Sequence, residues 1–155
     1  MSDDFRRFPA KVPERATSQG RRNVWSMDSQ EKRNCASEEP FSYLQILLQD
    51  YEHEIFTLLL LDSKHRVIRF EELFRGTLDS ASVYPHEVVK VAVEHNAAAM
   101  VLVHNHPSGD PEPSHADRVL TSRLKQALEM VGVRTLDHII VGAEGCVSLA
   151  ELNQI

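Results

Sequence analysis

Two histidines and an aspartate stand close together in the segment HNHPSGDPEPSHAD, residues 104–117. His104 and His106 are one residue apart and follow directly on the apolar run Met100–Val103. Side chains at positions i and i+2 of an extended segment point to the same side, so the two imidazoles can converge on one metal ion. Asp117, at the start of the next predicted helix, is well placed to supply a third ligand. The spacing therefore predicts a metal site formed by His104, His106 and Asp117.

The predicted ligand set indicates a catalytic metal. Two histidines and one carboxylate leave a fourth tetrahedral position for water, which distinguishes a catalytic zinc site from a structural one. Zinc bound in this way lowers the pKa of the water towards neutrality and polarises a substrate carbonyl. Nitrogen and oxygen ligands without thiolate also suit iron or manganese. We predict one zinc ion per chain, with these two metals as alternatives.

Each part of the pattern also has an ordinary structural explanation. A lone His-x-His pair near a loop is most often a surface feature. Ser114 and Asp117 are close to a capping box, in which the serine caps a helix and the acid three residues later reaches back. Taken alone, that pair favours capping over metal binding. Asp110 and Glu112 are rival carboxylates, but their place among prolines predicts exposure to solvent. The combination of the His-x-His pair, a rigid turn, Ser114 and Asp117, all after an apolar strand, favours the metal site.

The surrounding sequence alternates between strand and helix patterns. Continuous apolar runs of strand length, such as Glu54–Asp62, are typical of strands that are covered on both faces. The predicted elements are a helix over 41–52, strands over 54–62 and 67–74, a helix over 86–98, a strand over 100–103, a helix from the cap Ser114 to Val131, and strands over 133–141 and 146–149. On the helix over 86–98, Val89, Val93 and Ala97 are predicted to lie on one apolar face. This order predicts an α/β domain with a mixed central sheet flanked by helices.

Composition and charge limit the domain organisation and the partners. The chain has 155 residues, of which 42% are hydrophobic and 26% charged, and this fits one soluble domain with an appendage. Residues 1–40 carry eight basic and seven acidic residues, a net charge of +1. Because the net charge of the whole chain is −6, residues 41–155 carry −7. Residues 1–40 lack a sustained apolar period and are predicted to be a flexible tail. The acidic remainder argues against binding to nucleic acid, which needs clustered Lys and Arg.

Cysteines and targeting signals give the expected compartment. Cys35 and Cys146 lack CxxC spacing, so neither a disulfide framework nor a cysteine-rich zinc site is indicated. No apolar run approaches the ~18–20 residues that span a bilayer. The N-terminus has no hydrophobic segment of the kind found in signal peptides. A cytoplasmic location without membrane contact is the default expectation.

The residues around the histidines resemble a known family. The segment has the spacing H-x-H, seven residues, S-x-x-D of the JAMM motif. HNHPSGD, with NAAAMVLV before it and LDHIIVG after it, resembles the RadC-like branch of the JAB/MPN proteins, and the resemblance covers about Tyr51 to Leu149. It implies an α/β fold related to the cytidine deaminases and a zinc site with His104, His106 and Asp117 as ligands.

The same resemblance implies roles for two more residues. Ser114 would assist at the developing oxyanion, and a glutamate at the start of the first strand would serve as general acid/base. That glutamate corresponds to Glu54, with Glu52 as the neighbouring alternative. His138, in LDHIIVG, is predicted to be buried and structural in preference to lining a pocket. Residues 1–40 do not resemble the helical N-terminal portion of full-length RadC proteins, so a short stand-alone catalytic domain is expected.

The function predicted from these observations is hydrolysis of an amide bond in a peptide or protein by a zinc peptidase or isopeptidase of JAMM type. The alternative is a RadC-like DNA-repair or mobile-element accessory factor that binds nucleic acid or protein partners. A zinc deaminase is disfavoured because that family uses HxE with CxxC, and this sequence has neither.

Overall fold

A computed structural model describes Leu44, Leu48, residues 51–76 and residues 83–155. Within these ranges the chain forms five strands and two complete helices: β1 (Glu54–Leu61), β2 (Val67–Gly76), α1 (Pro85–Glu94), β3 (Ala99–Asn105), α2 (His115–Met130), β4 (Arg134–Gly142) and β5 (Gly145–Ser148). Leu44 and Leu48 are also helical. The predicted tail, residues 1–40, lies outside the described residues. In the described part, neither helix has the length and apolar character needed to cross a membrane.

The five strands form one mixed sheet in the order β2-β1-β3-β4-β5. Strand β1 pairs antiparallel with β2 and β3, β3 pairs parallel with β4, and β4 pairs antiparallel with β5. Parallel neighbours need a crossover connection, and α2 provides it between β3 and β4. The predicted α/β architecture with a mixed sheet is therefore confirmed.

Each face of the sheet is covered by its own apolar layer. On one face α1 contributes Val88 and Ala92, and α2 contributes its leucines, to a core with the inward side chains of β1 and β3. On the other face Leu44 and Leu48 pack against a second cluster from β1, β3 and β4. Strands β1 and β3 are buried on both faces, which explains why their sequences are continuous apolar runs.

The predicted extent of α1 was wrong, and one residue of its predicted apolar face is exposed. The helix ends at Glu94, because Asn96 adopts a φ of 51° that an α-helix cannot continue. Val88 and Ala92 are fully buried in the core, and Val89 and Ala97 pack against it half-buried. Val93, from the same predicted face, is 61% exposed. Two apolar stripes lie side by side on this helix, and hydrophobic spacing alone does not choose between them.

Strand β3 is longer than predicted, and this changes the setting of the histidines. It continues past Val103 through His104 and Asn105, which belong to the sheet and not to the following loop. Backbone pairing with β4 extends to the end of this strand in spite of the polar side chains. At the start of the domain, Tyr51 and Glu52 are not helical, although the prediction placed them at the end of a helix over 41–52.

Asp137 is a buried carboxylate that fixes the chain after β5. Its Oδ1 accepts hydrogen bonds from the backbone N–H of His138 at 2.7 Å and of Ala150 at 3.0 Å, and its Oδ2 accepts one from Ser148 Oγ at 2.5 Å. Burial raises the pKa of Asp137 in spite of these hydrogen bonds. Because the folded pKa lies above the unfolded one, the ionised carboxylate costs stability, and this cost grows as pH rises from the ordinary aspartate pKa through the folded value.

We expect Asp137→Asn to be at least as stable as the parent at neutral pH and to lose this pH dependence. The amide oxygen can keep both backbone hydrogen bonds, and the Ser148 hydroxyl can turn to accept from the amide nitrogen. Asp137→Ala should instead lose more than about 2 kcal/mol, because buried donors are left without an acceptor. Urea unfolding at mildly acidic and neutral pH measures both effects. A stability advantage of Asp137→Asn that is larger in acid would contradict the assigned direction.

Candidate metal centre

The three predicted metal ligands converge at the C-terminal end of β3. The Nε2 atoms of His104 and His106 are 3.0 Å apart. The Nε2 of His104 lies 3.2 Å from Asp117 Oδ1, and the Nε2 of His106 lies 3.2 Å from Asp117 Oδ2. One ligand atom from each residue lies within 4.8 Å of the others, so this group could hold a metal ion.

The separations fit one small cation. Bond lengths of 2.0–2.1 Å place neighbouring ligand atoms of a tetrahedral zinc site about 3.3 Å apart. The observed separations of 3.0 to 3.2 Å are close to that value. His104 is fully buried and Asp117 is 5% exposed, whereas His106 is partly exposed. Solvent therefore approaches the group from the side of His106.

A chain of hydrogen bonds behind His104 determines which of its nitrogens carries the proton. The Nδ1 of His104 lies 2.7 Å from His138 Nε2, and His138 Nδ1 lies 2.5 Å from Thr121 Oγ1. The Thr121 hydroxyl donates to the carbonyl of Asp117 at 2.6 Å, so it must accept from His138. His138 then carries its proton on Nδ1 and accepts from His104 at Nε2. His104 consequently presents the lone pair of Nε2 to the metal group.

His106 is oriented in the same sense by a different partner. Its Nδ1 lies 3.0 Å from the carbonyl oxygen of Asp110, which can only accept. The Nδ1 therefore donates, and Nε2 faces the group. Two Nε2 atoms and a carboxylate at these distances need positive charge between them, either a proton on His106 or a metal ion.

The pKa shifts agree with this assignment. Burial lowers the pKa of His104 and lowers that of His138 well below its usual range, so both are neutral. The contact with Asp117 raises the pKa of His106, so His106 holds a proton more readily than the other two histidines do. Burial alone would raise the pKa of Asp117, but its contacts with His104 and His106 outweigh burial and hold the pKa well below its usual range. A metal ion that binds here therefore competes with a proton for His106.

The capping box that competed with metal binding in the sequence is also present. Ser114 Oγ accepts from the backbone N–H of Asp117 at 3.1 Å, and Asp117 Oδ2 accepts from the backbone N–H of Ser114 at 2.8 Å. Each carboxylate oxygen has two lone pairs, so Asp117 can cap α2 and face both histidines at once. The two explanations are compatible, and the cap helps to aim the carboxylate at the group.

The loop between β3 and α2 is held closely against the end of β4. The backbone N–H of His106 donates to the Val141 carbonyl at 2.7 Å. A Cβ atom at Gly142 would lie only 2.2 Å from the Gly109 carbonyl oxygen, so this approach requires glycine. The contact fixes the segment that carries the Asp110 carbonyl and therefore the orientation of the His106 ring.

The other candidate site residues differ in their burial and in their effect on this group. Glu54 is half-buried at the first position of β1, and its charge raises the pKa of His104 and His106, after the larger effects of burial and Asp117. Glu52, the alternative, is exposed. Ser114 is exposed at the N-cap of α2. The side chains of Asp110 and Glu112 are exposed, in agreement with the prediction.

Sequence reasoning missed the residues that stand behind the ligands. His138 was predicted to be buried and structural, and it is buried, but its contact with His104 was not foreseen. Thr121 and Asn105 were not singled out. The available signal was strand alternation, since His138 pairs with Leu102 and so shares a face with His104. That pairing depends on a register that the sequence does not display.

A mixed five-stranded sheet covered on both faces, with a His-x-His and Ser-x-x-Asp group at the end of a central strand, defines an α/β domain of the JAB type. The family model of the RadC-like JAB domain matches residues 35–154. The chain belongs to the RadC-like JAB domain family, as its motif predicted.

Curated relatives share this domain and carry the name UPF0758 protein, which states no activity. The one from Vibrio cholerae serotype O1 is 59% identical over 115 residues, which cover 74% of this chain and 72% of that protein. The one from Ectopseudomonas mendocina is 58% identical over 124 residues, 78% of this chain and 55% of that protein. The one from Shewanella loihica is 60% identical over 109 residues, which cover 70% of this chain and 48% of that protein. The chain thus spans about half the length of the latter two relatives.

Proposed function

We propose that this domain is a zinc-dependent hydrolase that cleaves an amide bond in a peptide or protein, as a peptidase or isopeptidase of JAMM type. The observation that carries the proposal is the convergence of His104, His106 and an ionised Asp117 beside Glu54. Three protein ligands and an open fourth position characterise catalytic zinc. Zinc bound by these residues would activate a water molecule and polarise the substrate carbonyl.

The protein groups around this centre supply the remaining chemistry. Glu54 takes the proton of the attacking water and delivers it to the leaving amine nitrogen. The Ser114 oxygen accepts from the Asp117 backbone, so its own hydrogen can be donated to the oxyanion that develops on the substrate. Within the described residues, Cys146 is not supported as a nucleophile, because burial raises the pKa of its thiol to about 11.

The alternative function, an accessory factor that binds nucleic acid, has less support. Contacts with phosphates need clustered Lys and Arg, whereas residues 41–155 carry a net charge of −7. A module that only binds would also have no use for a carboxylate beside the metal group. The salt dependence of DNA affinity, measured on this chain, separates the two functions.

A peptide-library digest with the zinc-loaded protein, extended to isopeptide-linked substrates, tests the proposal. We expect cleavage that stops when a chelator removes the metal and returns when zinc is restored. His106→Ala should show neither zinc binding nor cleavage. Metal analysis should find one zinc per chain. Iron or manganese in its place would change the assigned metal. Cleavage that persists without metal would contradict the mechanism, and a folded zinc protein that cleaves no amide would contradict the function.

His138 offers a prediction about metal affinity that does not depend on a substrate. Phenylalanine at this position cannot accept from His104 Nδ1, so we expect His138→Phe to weaken zinc binding by about 10- to 100-fold. His138→Gln can still present an acceptor near the same place and should lose less. Competition with a chelating dye measures both affinities. Parental affinity in His138→Phe would show that the His138 contact does not tune the ligand.

A further inference from the structure

Asn105 lies between the two histidines of the metal group, but its side chain serves a different strand. It is the last residue of β3 and is 1% exposed. Its Oδ1 accepts from the backbone N–H of Ile55 at 2.6 Å, and its Nδ2 donates to the backbone carbonyl of His53 at 3.0 Å. These two backbone groups belong to the residues on either side of Glu54. A single carboxamide therefore contacts the main chain before and after Glu54.

The position of Asn105 explains why a side chain takes this role. The paired register between β1 and β3 ends where Phe56 faces His104. One step beyond, the Asn105 carboxamide supplies the partners that the β3 backbone supplies elsewhere. A carboxamide carries an acceptor and donors on one planar group, which suits an N–H and a C=O of nearby residues. Neither a carboxylate nor an aliphatic side chain offers both.

We propose that Asn105 is the positioning residue for Glu54. By holding His53 and Ile55 against β3, it fixes the Glu54 carboxylate relative to the flanking ligands His104 and His106. The link is short, since Asn105 is joined by peptide bonds to the histidine that precedes it and to the one that follows it. This inference rests on the proposed function, in which Glu54 transfers the proton. A misplacement of about 1 Å at such a group costs roughly 100-fold in rate.

Thr57 provides a matched control. Its Oγ1 donates to the carbonyl of Val103 at 3.0 Å, which is also a buried side-chain contact between β1 and β3. Thr57 is as buried as Asn105, at 1% exposure, and its hydrogen bond goes to Val103 and not to His53 or Ile55. Thr57→Val therefore removes a comparable bond between the same strands without releasing the acid/base.

The experiment compares Asn105→Ala, Asn105→Asp and Thr57→Val in the full chain loaded with zinc. In Asn105→Ala we expect one zinc per chain, a kcat about 100-fold lower and a nearly unchanged KM. The Ile55 amide should exchange with solvent at least about tenfold faster by NMR, because its acceptor is gone. Asn105→Asp keeps an acceptor for Ile55 but opposes the His53 carbonyl, so its kcat should fall while Ile55 stays protected. Thr57→Val should resemble the parent in kcat and in Ile55 exchange.

Three results would overturn the assignment. One is unchanged Ile55 exchange in Asn105→Ala, which is a readout that needs no substrate. Another is a kcat loss in Thr57→Val as large as that in Asn105→Ala, which would make the effect one of sheet stability. The third is a kcat loss in Asn105→Ala when Glu54→Gln keeps full turnover, which would show that Glu54 is not the group being positioned. If Asn105→Ala fails to fold, the same comparisons apply to the kcat of Asn105→Asp. Failure of the proposed function itself is recognised separately, by turnover without zinc.

Discussion

Asp117→Ala should lose the metal and weaken the start of α2 together, whereas Asp117→Asn should lose the metal and keep the helix cap. In zinc-finger peptides an apparent zinc binding free energy of about 10–16 kcal/mol is shared among four protein ligands, which assigns roughly 3 kcal/mol to each. We therefore expect both variants to bind zinc more than about a hundredfold more weakly. Alanine also removes the acceptor for the Ser114 backbone N–H, at a cost of about 1 kcal/mol. The amide oxygen of asparagine can retain that hydrogen bond.

Metal analysis after dialysis, together with urea unfolding of the zinc-free proteins, measures the two effects separately. Glu112→Gln is the matched control, because Glu112 is a rival carboxylate from the same segment and is exposed. It should leave zinc content and stability unchanged. Full zinc occupancy in Asp117→Ala would show that Asp117 only caps the helix. Zinc loss in Glu112→Gln would indicate that Glu112, in the loop, is the third ligand.

The ligand set could be predicted because local geometry carries it. Alternation along a strand places His104 and His106 on one side, and this holds although the predicted strand stopped at Val103. The capping box fixes Asp117 at the third position of α2. Both relations depend on residues within four positions of one another. They therefore survive errors in the predicted boundaries.

The supporting residues could not be predicted, because their contacts span the fold. His138 meets His104 only through the parallel pairing of β3 and β4, whose register shifts between Met100 and Val101. Asn105 meets Ile55 across 50 residues of sequence. The polar character of these residues was also misleading, because polar residues in a sequence favour a loop. Backbone pairing nevertheless keeps His104 and Asn105 in the sheet.

The error in α1 has a related cause. Val88 and Ala92 form one apolar stripe, and Val89 and Val93 form another beside it. A stripe of either kind satisfies the helical period. Packing against α2 and the sheet buries the first stripe fully and Val89 partly, and it leaves Val93 exposed. That packing is a property of the folded domain. The architecture was nonetheless predictable, since the order of apolar runs and helical segments already requires a mixed sheet.

Glu54→Gln should preserve the fold and the metal but lower hydrolysis by about 10²–10⁴-fold, the usual contribution of a general acid/base. Glu54 opens β1 next to the metal group, and its charge acts on both histidines. Glutamine has nearly the same shape and cannot accept the proton of the attacking water. The effect should therefore fall on kcat, with zinc content and melting temperature close to those of the parent. Turnover of a substrate found in the library digest, metal analysis and thermal unfolding give these three quantities.

Glu52→Gln is the control that separates this role from a general loss of negative charge. Glu52 lies two residues before Glu54 and is exposed, so its replacement changes the net charge equally but should leave turnover unaltered. If Glu54→Gln turned over like the parent while Glu52→Gln did not, the acid/base would be the neighbouring glutamate. If both were fully active, the proton would have to pass through another group, and the strand-end carboxylate would have only a structural role.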